Sequence, residues 1–220
     1  LHLSIIGMPN VWKSSRTNSL LQKEQSIVTP IAGTTRDSID SYLKYYNKTI
    51  TLVDTAGLRK RSKIGDSIEF YSSVRTQRAI LNCDVSLVLI DAEKGFTKQD
   101  KTIASQIIKK GKSMIILVNK WDLTSKKDIL ADSFMLDMFD SFRLLEYYPI
   151  LFVSALTKRR ISNILSEAWE VFNKHKEKIN TKELNNWLAK TVQKYPPPAL
   201  QGKSIKIKFI DEVQISPPLF

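Results

Sequence analysis

At 220 residues, with 42% apolar and 25% charged side chains, the chain can form one large domain, or a medium domain with an appendage, and is too apolar to be disordered. A single cysteine, Cys83, excludes an internal disulfide and a cysteine-built zinc site, and two histidines argue against a histidine-rich metal centre or a catalytic triad. Thirty-four Lys plus Arg against twenty-two Asp plus Glu leave a net charge of +12, which fits a polyanionic partner through counterion release and equally fits a lysine-rich solvated surface.

Short β-rich apolar runs alternate with longer amphipathic segments, the pattern of a parallel sheet with crossover helices. Residues 3–6 open as a strand, and the chain starts inside that run at Leu1, so a piece of a longer protein is expected. No charged, apolar, then small-residue leader precedes it, and a secretory signal is not expected. Residues 13–21 follow with helical apolar spacing. Residues 42–46 read as an edge strand pairing with 50–53 across Asn47-Lys48. Residues 66–81 read as a helix with a capping-box-like start at Asp66-Ser67-Ile68-Glu69.

Strands are then expected at 85–90, 114–118 and 150–153, and helices at 98–110 and 162–173, with 125–148 helical in part. Near-continuous hydrophobicity suits strands buried on both faces. The longest apolar runs are strand-sized, so no membrane partner is expected and a cytoplasmic location is. Cys83 reads as a packing residue, His2 and His175 as solvent-facing or capping groups, and Trp169 and Trp187, by helical spacing, as core.

After about residue 175 the composition shifts. Residues 176–180 form a polar connector, and Thr181-Lys182-Glu183 looks like the capped start of a helix carrying Leu184, Trp187, Leu188 and Val192. Pro196-Pro197-Pro198 ends it. Residues 203–209 alternate charged and apolar, the pattern of a half-exposed strand. The boundary is placed between 1–175 and 176–220, and the second part is too short for a robust core of its own.

Each buried strand ends in a polar or glycine-bearing motif: Gly7, Asp54, Asp91, Asn119 and Ser154. In open parallel sheets, ligands bind beyond the carboxyl ends of the strands. Gly7-Met8-Pro9-Asn10-Val11-Trp12-Lys13-Ser14 follows a strand and opens a helix, the context of a phosphate-binding P-loop. Backbone amides would cradle the phosphates, Lys13 would pair with the outer ones, and Ser14 would ligate Mg²⁺. Trp12 stands where a glycine is expected.

Asp54-Thr55-Ala56-Gly57 offers a carboxylate to Mg²⁺ through water and the Gly57 amide to a terminal phosphate. In Asn119-Lys120-Trp121-Asp122 the Asp122 carboxylate can accept from the ring N–H and exocyclic amine of guanine. Adenine presents a lone pair in place of that N–H. Asn119 can brace the base site, and the Lys120 stem can lie over the base plane. Ser154-Ala155 offers a backbone amide to the guanine carbonyl. Asp91 reads as a structural cap.

These residues resemble a translation-factor-class GTPase domain, in particular the second GTPase domain of the Der/EngA ribosome-assembly GTPases. The specific markers are Gly33-Thr34-Thr35-Arg36-Asp37, Asp54-Thr55-Ala56-Gly57-Leu58-Arg59-Lys60-Arg61 and Asn119-Lys120-Trp121-Asp122. Tyr195-Pro196-Pro197-Pro198 through Ile205-Lys206-Ile207-Lys208 resemble the start of that family's C-terminal KH-like domain. The implied fold is α/β: a P-loop NTPase, small-GTPase-like parallel sheet with flanking helices, plus a partial α+β KH-like segment.

The implied activity is hydrolysis of GTP to GDP, switching association with the large ribosomal subunit or its rRNA. The resemblance gives Thr35 a place in the Mg²⁺ shell and a role in sensing the γ-phosphate, and Asn10 a part in holding K⁺. Lys13, Thr35 and Gly57 are the implied catalytic groups. Leu58 stands where many GTPases carry a water-orienting glutamine, which throws the implied chemistry onto Mg²⁺, K⁺ and backbone amides. The basic run Arg59-Lys60-Arg61-Ser62-Lys63 is an expected RNA or partner contact. Trp12 supports the alternative of a non-catalytic RNA-binding adaptor, and Asp122 disfavours an ATP-using kinase.

Overall fold

The computed structural model describes residues 1–7, 40–53, 69–124, 130–154, 160, 162–199, 203 and 205–220. It divides into two compact units, Leu1–Phe172 and Asn173–Phe220. In chain order the first contains β1 (His2–Gly7), β2 (Ser41–Tyr45), β3 (Lys48–Val53), α1 (Glu69–Asn82), β4 (Val85–Asp91), α2 (Lys98–Lys109) and β5 (Ser113–Asn119). Then come the short α3 (Trp121–Thr124), α4 (Ala131–Ser141), a 3₁₀ turn (Arg143–Tyr147), β6 (Ile150–Phe152) and α5 (Ser162–Lys174).

The strands form one six-stranded sheet in the order β2-β3-β1-β4-β5-β6. All neighbours are parallel except β2 with β3, which run antiparallel as the expected edge hairpin. The hairpin turn falls on Tyr46-Asn47, one residue before the expected position, and both residues take a left-handed backbone. A two-residue turn of that hand matches the twist of the strands it joins.

Every residue of β4 and β5 is buried, because their side chains alternate between two covered faces. Val88, Ile90, Met114, Ile116 and Val118 point to one face and pack with Ile80 of α1, Ile103 and Ile107 of α2, and Phe134 and Met138 of α4. Val85, Leu87, Leu89, Ile115 and Leu117 point to the other and pack with Ile164 and Ala168 of α5. Cys83 is buried as a packing residue, its thiol joined to the hydroxyls of Ser4 and Ser86 at 3.2 and 3.3 Å.

The second unit contains α6 (Thr181–Lys194). Its cap is Asn180, whose side chain accepts from the amides of Lys182 and Glu183. Buried Glu212 accepts from the Ile179 amide at 2.7 Å, and the Asn185 amide both donates to and accepts from the Ile210 backbone. Two expectations need correction here. Residues 205–209 form no strand: the alternation is real, but no described strand lies beside them to complete a ladder. Trp187 is 57% exposed, because the buried stripe of α6 runs through Leu184 and Leu188. Trp169 does pack against the core. No helix among the described residues is long and apolar enough to cross a membrane.

Two features yield predictions. A Cβ at Gly7 would lie 2.8 Å from the Leu89 carbonyl oxygen and 3.0 Å from its Cβ, both on the paired strand. Gly7→Ala must therefore force β1 away from β4, and chemical denaturation should record a loss of about 1–3 kcal/mol. A stability equal to the parent's would show that the strand pair yields without cost.

The second concerns Asp100, which closes a capping box with Thr97 at the start of α2. Its Oδ1 is buried without a hydrogen-bond partner, and burial pushes its carboxyl above the usual aspartate range. The folded state thus holds this proton more tightly than the unfolded state, so stability falls as pH rises from near 3.8 through the raised folded value. Asp100→Asn keeps an acceptor for the cap and cannot ionise. Relative to the parent, the variant should gain stability as pH rises from acid toward neutral; parallel pH curves would contradict this account.

Candidate functional site

The parallel strands bring Gly7, Asp91 and Asn119 to one edge of the sheet. Gly7 sits opposite Leu89 in the β1–β4 pair, and Asp91 sits opposite Asn119 in β4–β5. Ser154 follows one residue after Val153, whose amide donates to the Val118 carbonyl at 2.9 Å. Asn119 and Ser154 are buried, so the polar ends of β5 and the neighbouring edge strand β6 meet inside the fold.

Lys120 leaves β5 with a left-handed backbone, φ 64°. That conformation costs a non-glycine residue about 1–2 kcal/mol, and persists where its surroundings fix it. The surroundings are specific. The Asn119 carbonyl accepts from the Ala92 amide at 3.0 Å, and the Trp121 amide donates to the Val153 carbonyl at 3.2 Å. The Trp121 indole packs against Phe152 at 4.3 Å and Phe134 at 5.7 Å between centroids, as part of the core's edge. Trp121 therefore serves this loop as a wedge that anchors it, with its side chain committed to packing.

With the backbone so held, the Lys120 ammonium reaches back across β4. Its Nζ donates to Asp91 Oδ2 at 2.6 Å and to Glu93 Oε2 at 3.3 Å. The hydrogen bond to Asp91 holds the ammonium above the ordinary lysine range. Since the pKa is raised, this favourable contribution is complete at neutral pH and is lost only in strong base. Asp91 is 3% exposed, and its other oxygen accepts from the Glu93 amide at 3.0 Å. The expected structural cap is present, joined to an ion pair that its sequence position did not disclose. Asp122 stands in the first turn of α3, half-buried, with Thr124 closing that turn on the Trp121 carbonyl.

Chemically, the described edge is a floor of buried strand ends carrying a carboxylate, a buried amide, a tethered cation and a hydroxyl. Met8, Pro9, Asn10, Val11, Trp12, Lys13, Ser14, Thr35, Asp54, Thr55, Ala56, Gly57, Leu58 and Ala155 lie outside the described residues. So do the expected helix 13–21 and the basic run 59–63. No group of three or more potential metal ligands is found among the described residues.

Residues 2–120 match the family model described as 50S ribosome-binding GTPase, and residues 178–220 match the KH-domain-like C-terminal model of EngA bacterial GTPase enzymes. The GTPase Der of Chlorobium phaeobacteroides is 46% identical over 220 residues, covering 100% of this chain and 51% of that protein. That of Chloroherpeton thalassium is 43% identical over 218 residues, covering 99% and 50%. The chain thus spans about half the length of the curated relatives it matches.

Among solved structures, Era in complex with MgGDPNP and part of 16S ribosomal RNA superposes with a TM-score of 0.53 at 24% identity, over 77% of this chain and 56% of that one. The cytosolic domain of the T. maritima FeoB iron transporter, in a GDP form, gives 0.56 at 18% identity, over 91% and 76%. These likenesses are to the fold. The family is carried by the matched models and by identity sustained along the whole chain: it belongs to the GTPase Der (EngA) family.

Proposed function

We propose that this chain binds GTP and GDP, hydrolyses GTP to GDP and phosphate, and uses its nucleotide state to switch association with the large ribosomal subunit or its rRNA. The observation that carries the reading is the Asn119–Asp122 loop, fixed at the carboxyl edge of β5 beside Ser154, where a guanine edge would meet Asp122. The proposal takes residues 1–175 as the GTPase part and 176–220 as a KH-like part, at work in the cytoplasm. The +12 charge supports a polyanionic partner, with the run 59–63 as one contact.

In this reading Gly7, Met8, Asn10 and Val11 supply amides to the phosphates, Pro9 shapes the loop without a donor of its own, Lys13 pairs with the outer phosphates, and Thr55, Ala56 and Leu58 line the loop around Gly57. Ser14, Thr35 and Asp54 are an all-oxygen donor set, as Mg²⁺ requires, and Asn10 suits K⁺. Bound Mg²⁺ would offset the charge that develops on the phosphates. The chain's own groups then do the rest: the Gly57 amide orients toward the terminal phosphate, and Asn119, Asp122 and the Ser154-Ala155 backbone hold the base.

A second reading rests on Trp12. The residue before the P-loop lysine lies against the phosphates, and a bulky side chain there opposes their entry; an adaptor without nucleotide would tolerate it. Two variants separate the readings. Asp122→Asn should weaken GDP by about 10–100-fold and strengthen xanthosine diphosphate, because the amide can donate to the extra carbonyl of xanthine. Unchanged GDP affinity would remove this loop from the base.

Trp12→Gly should relieve strain and obstruction, raising GDP affinity about tenfold or more, with slow K⁺-stimulated turnover. Titration with fluorescent GDP, with and without Mg²⁺, followed by phosphate release, reads both effects. Tight binding and turnover in the parent chain that Trp12→Gly fails to improve would show that the loop accommodates tryptophan. No binding at millimolar GDP in either form would leave the adaptor.

A further inference from the structure

We infer that Asp91 is a positioning residue for the purine base: its buried carboxylate, assisted by Glu93, tethers the Lys120 ammonium so that the lysine's aliphatic stem is held as a fixed wall of the base site. The inference rests on the nucleotide reading above and adds a residue to which that reading gives no role.

The geometry separates two jobs within one side chain. Asp91 Oδ1 accepts from the Glu93 amide at 3.0 Å, which shapes the turn after β4. The Asp91 carbonyl accepts from the amides of Lys94 and Gly95, completing that turn through backbone alone. Oδ2 takes no part in the turn and receives the Lys120 ammonium at 2.6 Å.

A free lysine stem samples many rotamers, and ordering it when a ligand arrives opposes binding. Here both ends of the stem are already fixed. The root is set by the left-handed backbone and its flanking hydrogen bonds, the tip by a carboxylate that is 3% exposed. Glu93, 39% exposed at its side chain, adds a weaker second acceptor at 3.3 Å. A buried carboxylate needs a cation, so the dependence is mutual.

The two jobs can be separated experimentally. Asp91→Asn retains an oxygen for the Glu93 amide, and that bond directs the new NH₂ toward Lys120, where it cannot accept. The turn survives and the tether is lost. A wall against the ring face does not read the base edge, so GDP, inosine diphosphate and xanthosine diphosphate should all weaken by the same factor, about tenfold. Asp122→Asn, by contrast, should reorder the three.

The deciding measurement is a double-mutant cycle on GDP affinity in the parent or Trp12→Gly chain, with Asp91→Asn, Lys120→Ala and the pair. Thermal melting without nucleotide runs alongside. The expected result is that Asp91→Asn weakens GDP in the presence of Lys120 and adds nothing once Lys120 is alanine. An equal loss in both backgrounds would show that Asp91 acts through fold stability and overturns the inference. So would an unchanged GDP affinity in Asp91→Asn while the parent binds; in that case the nucleotide reading stands and only the tether falls. No GDP binding in either the parent or Trp12→Gly overturns both together.

Discussion

In β4 and β5 the parallel register sets Asp91 opposite Asn119, and the site beyond them depends on that alignment. Strands buried on both faces hold their register only weakly through apolar pattern, because a one-residue slip exchanges one aliphatic face for another. Polar groups inside the sheet discriminate better. Ser4 donates to Ser86 at 3.1 Å across the β1–β4 pair, with the Cys83 thiol completing the cluster. A slip would leave hydroxyls unpaired among aliphatic side chains, at about 1–3 kcal/mol for each orphaned group. The cluster lies toward the opposite end of the strands from Gly7, so it fixes the β1–β4 alignment that sets Gly7 opposite Leu89.

The sheet was legible because its strands are short, continuous and apolar, and because each stops at a residue no core would keep. Residues 85–90 and 114–118 were each found to within one residue at either end. The hairpin was legible too, but its turn was misplaced by one residue, since Tyr46 carries no composition signal for a left-handed backbone. Residues 203–209 were misread for a different reason. Alternation reports which side chains share a face, but a strand also needs a neighbour, and the sequence does not say where one lies. Of the site, Asn119, Lys120 and Asp122 were readable as a motif. The tether from Asp91 was not, because it joins residues 29 positions apart through a register that only the folded sheet supplies.

The second unit is built on polar commitments more than on an apolar core. Glu212 is buried and spends its carboxylate on the Ile179 amide just before α6, while Asn185 clamps Ile210 from the middle of that helix. Asn180 caps the helix, and Thr181 donates to Asp211 at 2.9 Å, so three side chains, Glu212, Asn185 and Thr181, tie α6 and the residue before its cap to residues 210–212. Buried aliphatic surface on α6 reduces to Leu184 and Leu188. A unit of this size gains little from hydrophobic burial, so its conformation is specified by hydrogen bonds whose loss would leave buried groups unpaired.

The same logic explains why a strained lysine is tolerated in the Asn119–Asp122 loop. A left-handed Lys120 would relax if its neighbours allowed it, and a glycine there would remove the strain. Glycine would also remove the cation that the Asp91 carboxylate requires. The cost of the backbone is about 1–2 kcal/mol, whereas an uncompensated buried charge costs about 3–5 kcal/mol. The ion pair therefore outweighs the strain, and the backbone stays in the less favourable region because the side chain is held from the far end. Trp121, wedged between Phe134 and Phe152, prevents the loop from relieving that tension by drifting outward. The Asn119–Asp122 loop is held in place because its unfavourable dihedral, its ion pair and its aromatic anchor each block the route by which another would relax.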